Sequence, residues 1–208
     1  MIYELRGYKS EKDWNEEYDE GVIVWEMDEI KSASEFKFGG RLVAYLGVNS
    51  DELVIPEGIE SIGYSAFVKG EWECFDPAVD KVILPSTLKK IEEGAFIDTM
   101  ISDIEFHKDS QCALIEDGGL YTKDKKTLLW IMNGNEDDEF FVADGTERLG
   151  LGCFGNFWDL TLVVPESVKE IGYGEDVAFA YESVTIRAPK NSFAHNFAVE
   201  NGIDYEEL

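Results

Sequence analysis

Residues 53–67 read LVIPEGIESIGYSAF, and the same frame returns along the chain. It has an apolar–any–apolar triplet, a proline or a substitute, a turn, two apolar residues separated by two polar ones, and later a small residue before Phe. Three other segments share it, namely VILPSTLKKIEEGAF at 82–96, FFVADGTERLGLGCF at 140–154 and LVVPESVKEI at 162–171. The triplets at 104–106 and 184–186 fit its opening only. The starts at 53, 82, 104, 140, 162 and 184 give spacings of 29, 22, 36, 22 and 22 residues, which indicates one repeating unit with insertions.

The frame predicts a short strand followed by a turn. Alternate side chains of Leu53–Ile55 point to one face, and Pro56 ends the pairing because it lacks an amide donor. Ile59 and Ile62 point inward again, and a small residue before Phe fills the space between coils. One unit cannot bury these groups alone, so the units must stack. The stack should place four rings in one column: Phe67, Phe96, Phe154 and Phe179.

The repeated IP, apolar-x-x-IG and AF steps resemble the BspA-like class of leucine-rich repeats. The stretches IPEGIESIGYSAF, LPSTLKKIEEGAF and VPESVKEIGYGEDVAF carry the resemblance, which covers roughly residues 42–208. It implies a mostly β, right-handed leucine-rich-repeat solenoid with short strands, an inserted β-hairpin and a C-terminal helical cap. The 140–154 unit departs from the pattern, since Ala143 replaces the proline and Thr146 replaces the first apolar residue of the turn.

The flanking and inserted segments complete the predicted organisation. Residues 1–50 read as an N-terminal cap and hairpin region, or alternatively as a separate interaction element. Residues 51–208 hold the repeats, with a strand-turn-strand insert at about 112–139 and a C-terminal cap at about 188–208. In that cap we expect Ser192 to begin a helix over 193–200, and Gly202 to end it.

The charge excludes several partners. The formal net charge is -26, from 44 acidic and 18 basic residues. Such a surface repels phosphate backbones and anionic membranes, so nucleic acid is not expected as a partner. No stretch approaches the roughly 20 apolar residues of a membrane helix, so no membrane insertion is expected. We take the charge as a source of solubility in preference to a dedicated cation-binding role.

No constellation of residues indicates catalysis, a metal or a cofactor. The three cysteines form no CxxC pair, and His107 and His195 fall in different coils. A nucleophile formed by Cys112 and His107 has no evident orienting group or oxyanion site. The acidic run at 136–139 reads as a solvated loop rather than a calcium site. We therefore expect a protein that is not an enzyme.

Two surfaces are candidates for a partner. The outward strand positions form an apolar row that is covered either by the insert or N-terminal segment, or by a partner: Val54, Ile83, Glu105, Phe141, Val163 and Thr185. The second candidate is an edge of aromatic residues, which either recognise a partner or lie back over the coils. The candidate partner-binding residues are Trp72, Phe75, Phe157, Trp158, Trp130 and Tyr121.

The predicted function is a non-catalytic protein-interaction scaffold, and the alternative is a cell-surface adhesin or glycan-binding module. The partner is expected to be another protein, with a glycan as the second option. Residues 1–21 have no basic start and no apolar run, so as written they are not a signal peptide. We expect a cytoplasmic protein as written, or a cell-surface or secreted one if a leader was removed.

Overall fold

The computed structural model describes the backbone of the strands, turns and helix that carry the repeat frame. The described residues are 4–8, 22–26, 40–46, 50–55, 57–67, 79–97, 99, 101–107, 110–132, 139–154, 157, 159–174 and 183–208. They fall into two compact units, residues 1–112 (unit 1) and residues 113–208 (unit 2). The fold is mostly β, with short strands and one helix in the described part of the chain.

Unit 1 contains two sheets. Its strands are β1 (Glu4–Tyr8), β2 (Val22–Glu26), β3 (Gly40–Leu46), β4 (Ser50–Val54), β5 (Ile59–Ile62), β6 (Val79–Leu84), β7 (Lys90–Ile91) and β8 (Asp103–Phe106). One sheet has the order β1-β2-β3-β5-β7, in which only the β2–β3 pair is antiparallel. The other sheet, β4-β6-β8, is parallel throughout. Parallel pairing of successive strands is what stacked coils produce.

Unit 2 repeats this plan with another set of elements. They are β9 (Ala113–Glu116), β10 (Gly119–Thr122), β11 (Thr127–Ile131), β12 (Glu139–Phe141), β13 (Arg148–Leu149), β14 (Leu160–Val163), β15 (Glu170–Ile171), β16 (Val184–Ala188), α1 (Phe193–Asn201) and β17 (Asp204–Glu207). In the first sheet, β15-β13-β11-β10-β9, the pairs β9–β10 and β10–β11 are antiparallel. The second sheet, β12-β14-β16-β17, is parallel throughout.

The strand register agrees with the repeat frame over most of the chain. Leu53, Val82 and Ile104 lie opposite one another across β4, β6 and β8, and each is at most 3% exposed. Phe140 likewise lies opposite Leu162. Within each unit the apolar triplets therefore form an inward row, as predicted.

Strand β16 departs from the expected alignment by two residues. Leu162 lies opposite Ile186, whereas the spacing of the triplets predicts Val184. Side chains alternate along a strand, so a shift of two leaves each residue on the same face. Val184 and Ile186 both remain buried, at 3% and 1% exposure.

The phenylalanine of the frame packs between coils. In unit 1 the rings of Phe67 and Phe96 stack with their centroids 5.2 Å apart. In unit 2 Phe154 is 1% exposed. Phe179 lies outside the described residues. The predicted packing is therefore confirmed for the Phe67–Phe96 pair, and the single column of four rings stays a prediction.

The glycine of the IG step permits close contact between coils. The amide of Gly172 donates to the carbonyl of Leu149 in the preceding coil at 2.8 Å. A Cβ atom on Gly172 would lie 2.4 Å from the Leu151 backbone nitrogen. A side chain therefore does not fit at Gly172 without movement of the neighbouring backbone.

The substituted turn at Thr146 keeps its place in the core. Thr146 is fully buried, and its hydroxyl donates to the carbonyl of Lys125 at 3.2 Å. In unit 1 the Thr87 hydroxyl donates to the carbonyl of Ile59 and accepts from the amide of Gly58. These hydrogen bonds satisfy the buried polar groups, so threonine is compatible with the coil.

The C-terminal cap agrees with the sequence. Helix α1 begins after Ser192, whose hydroxyl accepts from the His195 amide. It ends at Gly202, which has a φ of 69°. The helix is one residue longer than predicted, and β17 after it extends the parallel sheet.

The insert and the N-terminal region contain the expected strands. The predicted strand-turn-strand around residues 123–126 is the β10–β11 hairpin, and β9 adds a third strand to it. In the N-terminal region, β2 and β3 form an antiparallel pair. The capping role of the N-terminal region stays a prediction.

Candidate partner-binding surface

The sheet β12-β14-β16-β17 of unit 2 presents one face to the core and one face outward. On the inner face Phe140, Leu162 and Ile186 are each at most 1% exposed. Two rows of residues run across the outer face: Phe141, Val163, Arg187 and Glu206 in one, and Glu139, Thr161, Thr185 and Asp204 in the other. We call this set the outer face of unit 2.

An arginine bridges several strands of this face. The Arg187 guanidinium donates to Glu206 on β17 at 2.7 Å and also to Glu139 on β12. Because β14 lies between β12 and β16, the second contact spans β14. The hydrogen bonds that Arg187 donates to Glu206 and Glu139 raise the pKa of Arg187 above its ordinary value. The bridge contributes to covering β14, where Val163 is 8% exposed, whereas Phe141 on the edge strand β12 is 63% exposed.

An open depression lies beside Phe141. Its volume is about 520 Å³, and all the residues that line it belong to unit 2. The apolar part of the lining includes Phe141, Val163, Pro165 and Leu208, and the acidic part consists of Glu116, Asp117 and Asp144. We call this cavity the Phe141 depression.

The inserted hairpin forms one wall of the depression. The Tyr121 hydroxyl on β10 accepts a hydrogen bond from the Ala143 amide at 3.1 Å, which ties the insert to the segment after β12. Burial raises the pKa of Tyr121 to about 12, so the phenol keeps its proton at neutral pH. Asp117 and Gly118 both have positive φ, of 47° and 81°, as in the tight type I′ turn of a two-residue hairpin. This turn places Asp117 at the wall of the depression.

The charges around the depression are mostly negative. Lys125 forms an ion pair with Glu116 and so offsets one carboxylate. Asp117 and Asp144 are both exposed. The residues that line the depression include no Lys, Arg or His. The surface therefore combines an exposed aromatic ring with uncompensated negative charge.

The six predicted contact residues do not form one surface within the described part of the chain. Tyr121 and Trp130 are each 1% exposed, and their strands β10 and β11 lie between β9 and β13 in a five-stranded sheet. They are core residues of the insert and not the surface residues that the sequence suggested, although Tyr121 also reaches the wall of the depression. Phe157 is half-buried. Trp72, Phe75 and Trp158 lie outside the described residues, and their role stays a prediction.

The predicted outward strand row is a better guide to the surface. In unit 1 Val54, Ile83 and Glu105 lie side by side as expected, and Val54 is 42% exposed. In unit 2 Phe141 and Val163 are neighbours, but Thr185 lies in the adjacent row because β16 is shifted by two residues. Val163 is 8% exposed, so the chain itself covers this position of the outward row.

The acidic wall residues were not identified from the sequence. Asp117 and Asp144 each precede a glycine, and an Asp-Gly pair indicates a turn. That signal gives the local geometry, but it does not show that the two turns face the same depression.

The residues that could carry chemistry have structural partners. The Nδ1 atom of His195 accepts from the Asn191 amide at 2.7 Å, and its ring stacks on Tyr205. The sulfur of Cys112 lies 3.4 Å from the Ser110 hydroxyl, and Cys153 is buried. Within the described ranges, no three His, Cys, Asp or Glu side chains are grouped so as to hold a metal ion. The described helix is also too short and polar to span a bilayer.

The architecture matches a protein of known structure. A leucine-rich repeat protein from Eubacterium ventriosum aligns over 69% of this chain and 37% of its own, with a TM-score of 0.54 and 18% sequence identity. The present chain has a leucine-rich-repeat fold. At this identity the likeness concerns the fold alone.

Two further structural comparisons are weaker. A leucine rich cell surface protein from Faecalibacterium prausnitzii aligns over 60% of this chain and 38% of its own, with 26% identity and a TM-score of 0.43. The pneumococcal vaccine antigen PcpA aligns over 72% of this chain and 68% of its own, with 14% identity and a TM-score of 0.31. The chain spans little more than a third of the first two proteins. No protein-family model and no curated protein matches the sequence.

Proposed function

We propose that this protein is a non-catalytic interaction scaffold of the BspA-like leucine-rich-repeat type, and that it binds another protein through the outer face of unit 2. The repeats supply a rigid sheet, and the loops and insert supply the specific contacts. Fold alone does not identify a partner, so the proposal rests on the surface.

One observation carries the proposal. Phe141 and Leu208 both line the Phe141 depression, yet they are 63% and 61% exposed. Single exposed apolar side chains are common, but apolar side chains that line one concave surface are typical of binding sites. An aromatic ring beside such a depression is also the residue type that contributes most to protein interfaces.

The test compares two equally exposed apolar residues. Phe141 on β12 and Val199 on α1 are 63% and 64% exposed, and only Phe141 lines the depression. The wild type, Phe141→Asp and Val199→Asp proteins are each immobilised and exposed to a cell extract, and the retained proteins are quantified by mass spectrometry. We expect proteins that are retained by wild type and Val199→Asp and lost with Phe141→Asp. Equal retention by all three proteins contradicts the proposal.

The exposed ring also favours glycan binding as a second candidate. Aromatic rings can stack on sugars, and the carboxylates of Asp117 and Asp144 can accept hydrogen bonds from hydroxyl groups. A glycan array probed with wild type and Phe141→Ala separates the candidates. Signals that disappear in Phe141→Ala support a glycan ligand, and an array without signals counts against it.

A further inference from the structure

We propose that the Phe141 depression binds an extended, positively charged peptide segment of a partner protein, with an Arg or Lys side chain placed over the Phe141 ring. This inference rests on the proposed interaction function and names the chemistry of the partner.

The size of the depression favours a few side chains over a broad domain interface. Its volume of about 520 Å³ falls within the roughly 300–1,000 Å³ typical of pockets that hold small ligands. A standard interface between two folded proteins buries about 1,600 Å², which is much more surface than one such pocket offers. A peptide segment can insert two or three side chains and continue past the rim on the open side.

The negative charge of the residues that line the depression favours a positively charged ligand. Asp117 and Asp144 stand at the depression without a cation among the lining residues, and Lys125 pairs only with Glu116. A cationic side chain held between the two aspartates gains Coulomb attraction, and over the face of Phe141 it also gains a cation–π contact. An acidic segment is repelled by the same carboxylates and by a net charge of -26.

Hydrogen bonds and tight turns hold the backbone that carries Asp117 and Asp144. Asp117 lies in the tight β9–β10 turn, and the amide of Thr146 donates to the Ala143 carbonyl at 3.1 Å, which closes the turn that contains Asp144. The Tyr121–Ala143 hydrogen bond joins the two turns through the insert. A preorganised site loses less entropy on binding than a mobile one.

A neutral glycan gains less from this arrangement. It can use the ring and the hydrogen-bond acceptors, but it does not use the negative charge. The cationic peptide is therefore the occupant that uses all the observed features, and the glycan is an outcome of the test.

The experiment uses the full chain and three synthetic peptide libraries of equal length. In every library, alternate positions are random. The remaining positions hold lysine or arginine in the basic library, serine in the neutral library and glutamate in the acidic library. Binding is measured by fluorescence anisotropy for wild type, for Asp117→Asn with Asp144→Asn, and for Phe141→Ser. The control variant, Asp80→Asn with Glu200→Gln, removes the same net charge from exposed side chains that do not line the depression.

We expect the basic library alone to bind, and we expect aromatic or aliphatic residues to be enriched at its random positions. The double aspartate variant and Phe141→Ser should each weaken binding about tenfold or more relative to the control variant, a change of about 1.4 kcal/mol. Asparagine is favoured in tight turns with positive φ, so Asp117→Asn preserves the hairpin, and thermal unfolding checks that each variant is folded.

Several results overturn the inference. Equal loss in the control variant shows that the peptide responds only to net charge, and equal binding of the serine library shows that charge does not select the ligand. Absence of binding by all libraries, or glycan binding that depends on Phe141, also overturns it. These outcomes leave the interaction function standing as long as Phe141→Asp abolishes protein retention. If Phe141→Asp has no effect on retention, the function proposed above fails as well.

Discussion

The two units share part of one backbone plan and build it from different side chains. In each, an antiparallel pair leads into parallel strands: β2–β3 continues into β5 and β7, and β10–β11 continues into β13 and β15. Both antiparallel pairs also contain a register irregularity. The outer strands differ, since β1 pairs with β2 in parallel whereas β9 pairs with β10 antiparallel.

The repeats diverge at the position that follows the second apolar residue of the turn. Three of the four repeats have a glycine there, Gly63, Gly150 and Gly172, and at Gly172 a Cβ atom would meet the Leu151 backbone. The 82–96 repeat of unit 1 has Glu92, whose amide keeps the same type of bond to the preceding coil, at 3.0 Å from the Ile62 carbonyl. The Glu92 carboxylate then binds the Arg41 guanidinium through two hydrogen bonds. The hydrogen bond between coils is therefore common to both residues, while the side chain at this position depends on the local space.

The largest loss of stability is expected when an aromatic ring between two coils is removed. Phe96→Ala should lower the free energy of unfolding by about 3–5 kcal/mol, because Phe96 is 1% exposed and stacks on Phe67. Urea denaturation gives the value. Phe141→Ala, at an exposed site, should change stability by no more than about 0.5 kcal/mol. Similar losses in both variants would show that the Phe67–Phe96 stack is not a core contact.

A smaller loss of stability is expected at Gly172, the glycine that follows the second apolar residue of the turn. Gly172→Ala should cost about 1–3 kcal/mol, since the added methyl group requires a shift of the Leu151 backbone. Gly174→Ala is the matched control, because no atom lies within 4 Å of its Cβ position. Thermal or urea denaturation of the two variants measures the difference between their free energies of unfolding. If Gly172→Ala is as stable as Gly174→Ala, then the close contact of coils does not explain the glycine.

The sequence predicts the stacked coils because several residue types keep step within each repeat. Proline, the aliphatic triplet and the terminal phenylalanine together align Leu53 with Val82 without error. The triplets at 104–106 and 184–186 both lack the other markers; the first is aligned as predicted, whereas the second is displaced by two residues. Side-chain alternation alone does not distinguish a shift of two residues, so it leaves the register of such a triplet open.

The candidate site is harder to predict because it combines distant parts of one unit. Aromatic composition suggested Tyr121 and Trp130 as contact residues, but their burial depends on how both faces of the inserted hairpin are covered in the folded unit. Asp117 and Asp144 indicate turns locally, and only the pairing of the insert with the rest of unit 2 brings both to one depression. Phe141 was recognised as outward-facing from strand alternation, which is a local property.

The smallest expected effect concerns the Arg41–Glu92 pair and depends on pH. Hydrogen bonding to Arg41 is the main cause that holds the pKa of Glu92 below its ordinary value of 4.5, and the Tyr64 amide contributes as well. A carboxylate whose pKa is lower in the folded state stabilises the protein above its unfolded pKa, and this stabilisation is lost as the pH falls through the folded value. Arg41→Gln should therefore destabilise the protein by about 1 kcal/mol at pH 7, and the difference from wild type should shrink below pH 4.5.

Urea unfolding of wild type and Arg41→Gln across this acidic range measures that difference. Lys89→Gln, which removes the exposed pair with Glu60, serves as the control and should have little effect at any pH. A difference between wild type and Arg41→Gln that stays constant down to the lowest pH would mean that the arginine acts through packing and not through the charge of Glu92. In that case Glu92 would replace the glycine of the other repeats for steric reasons alone, and the contrast with Gly172 would be one of space rather than of charge.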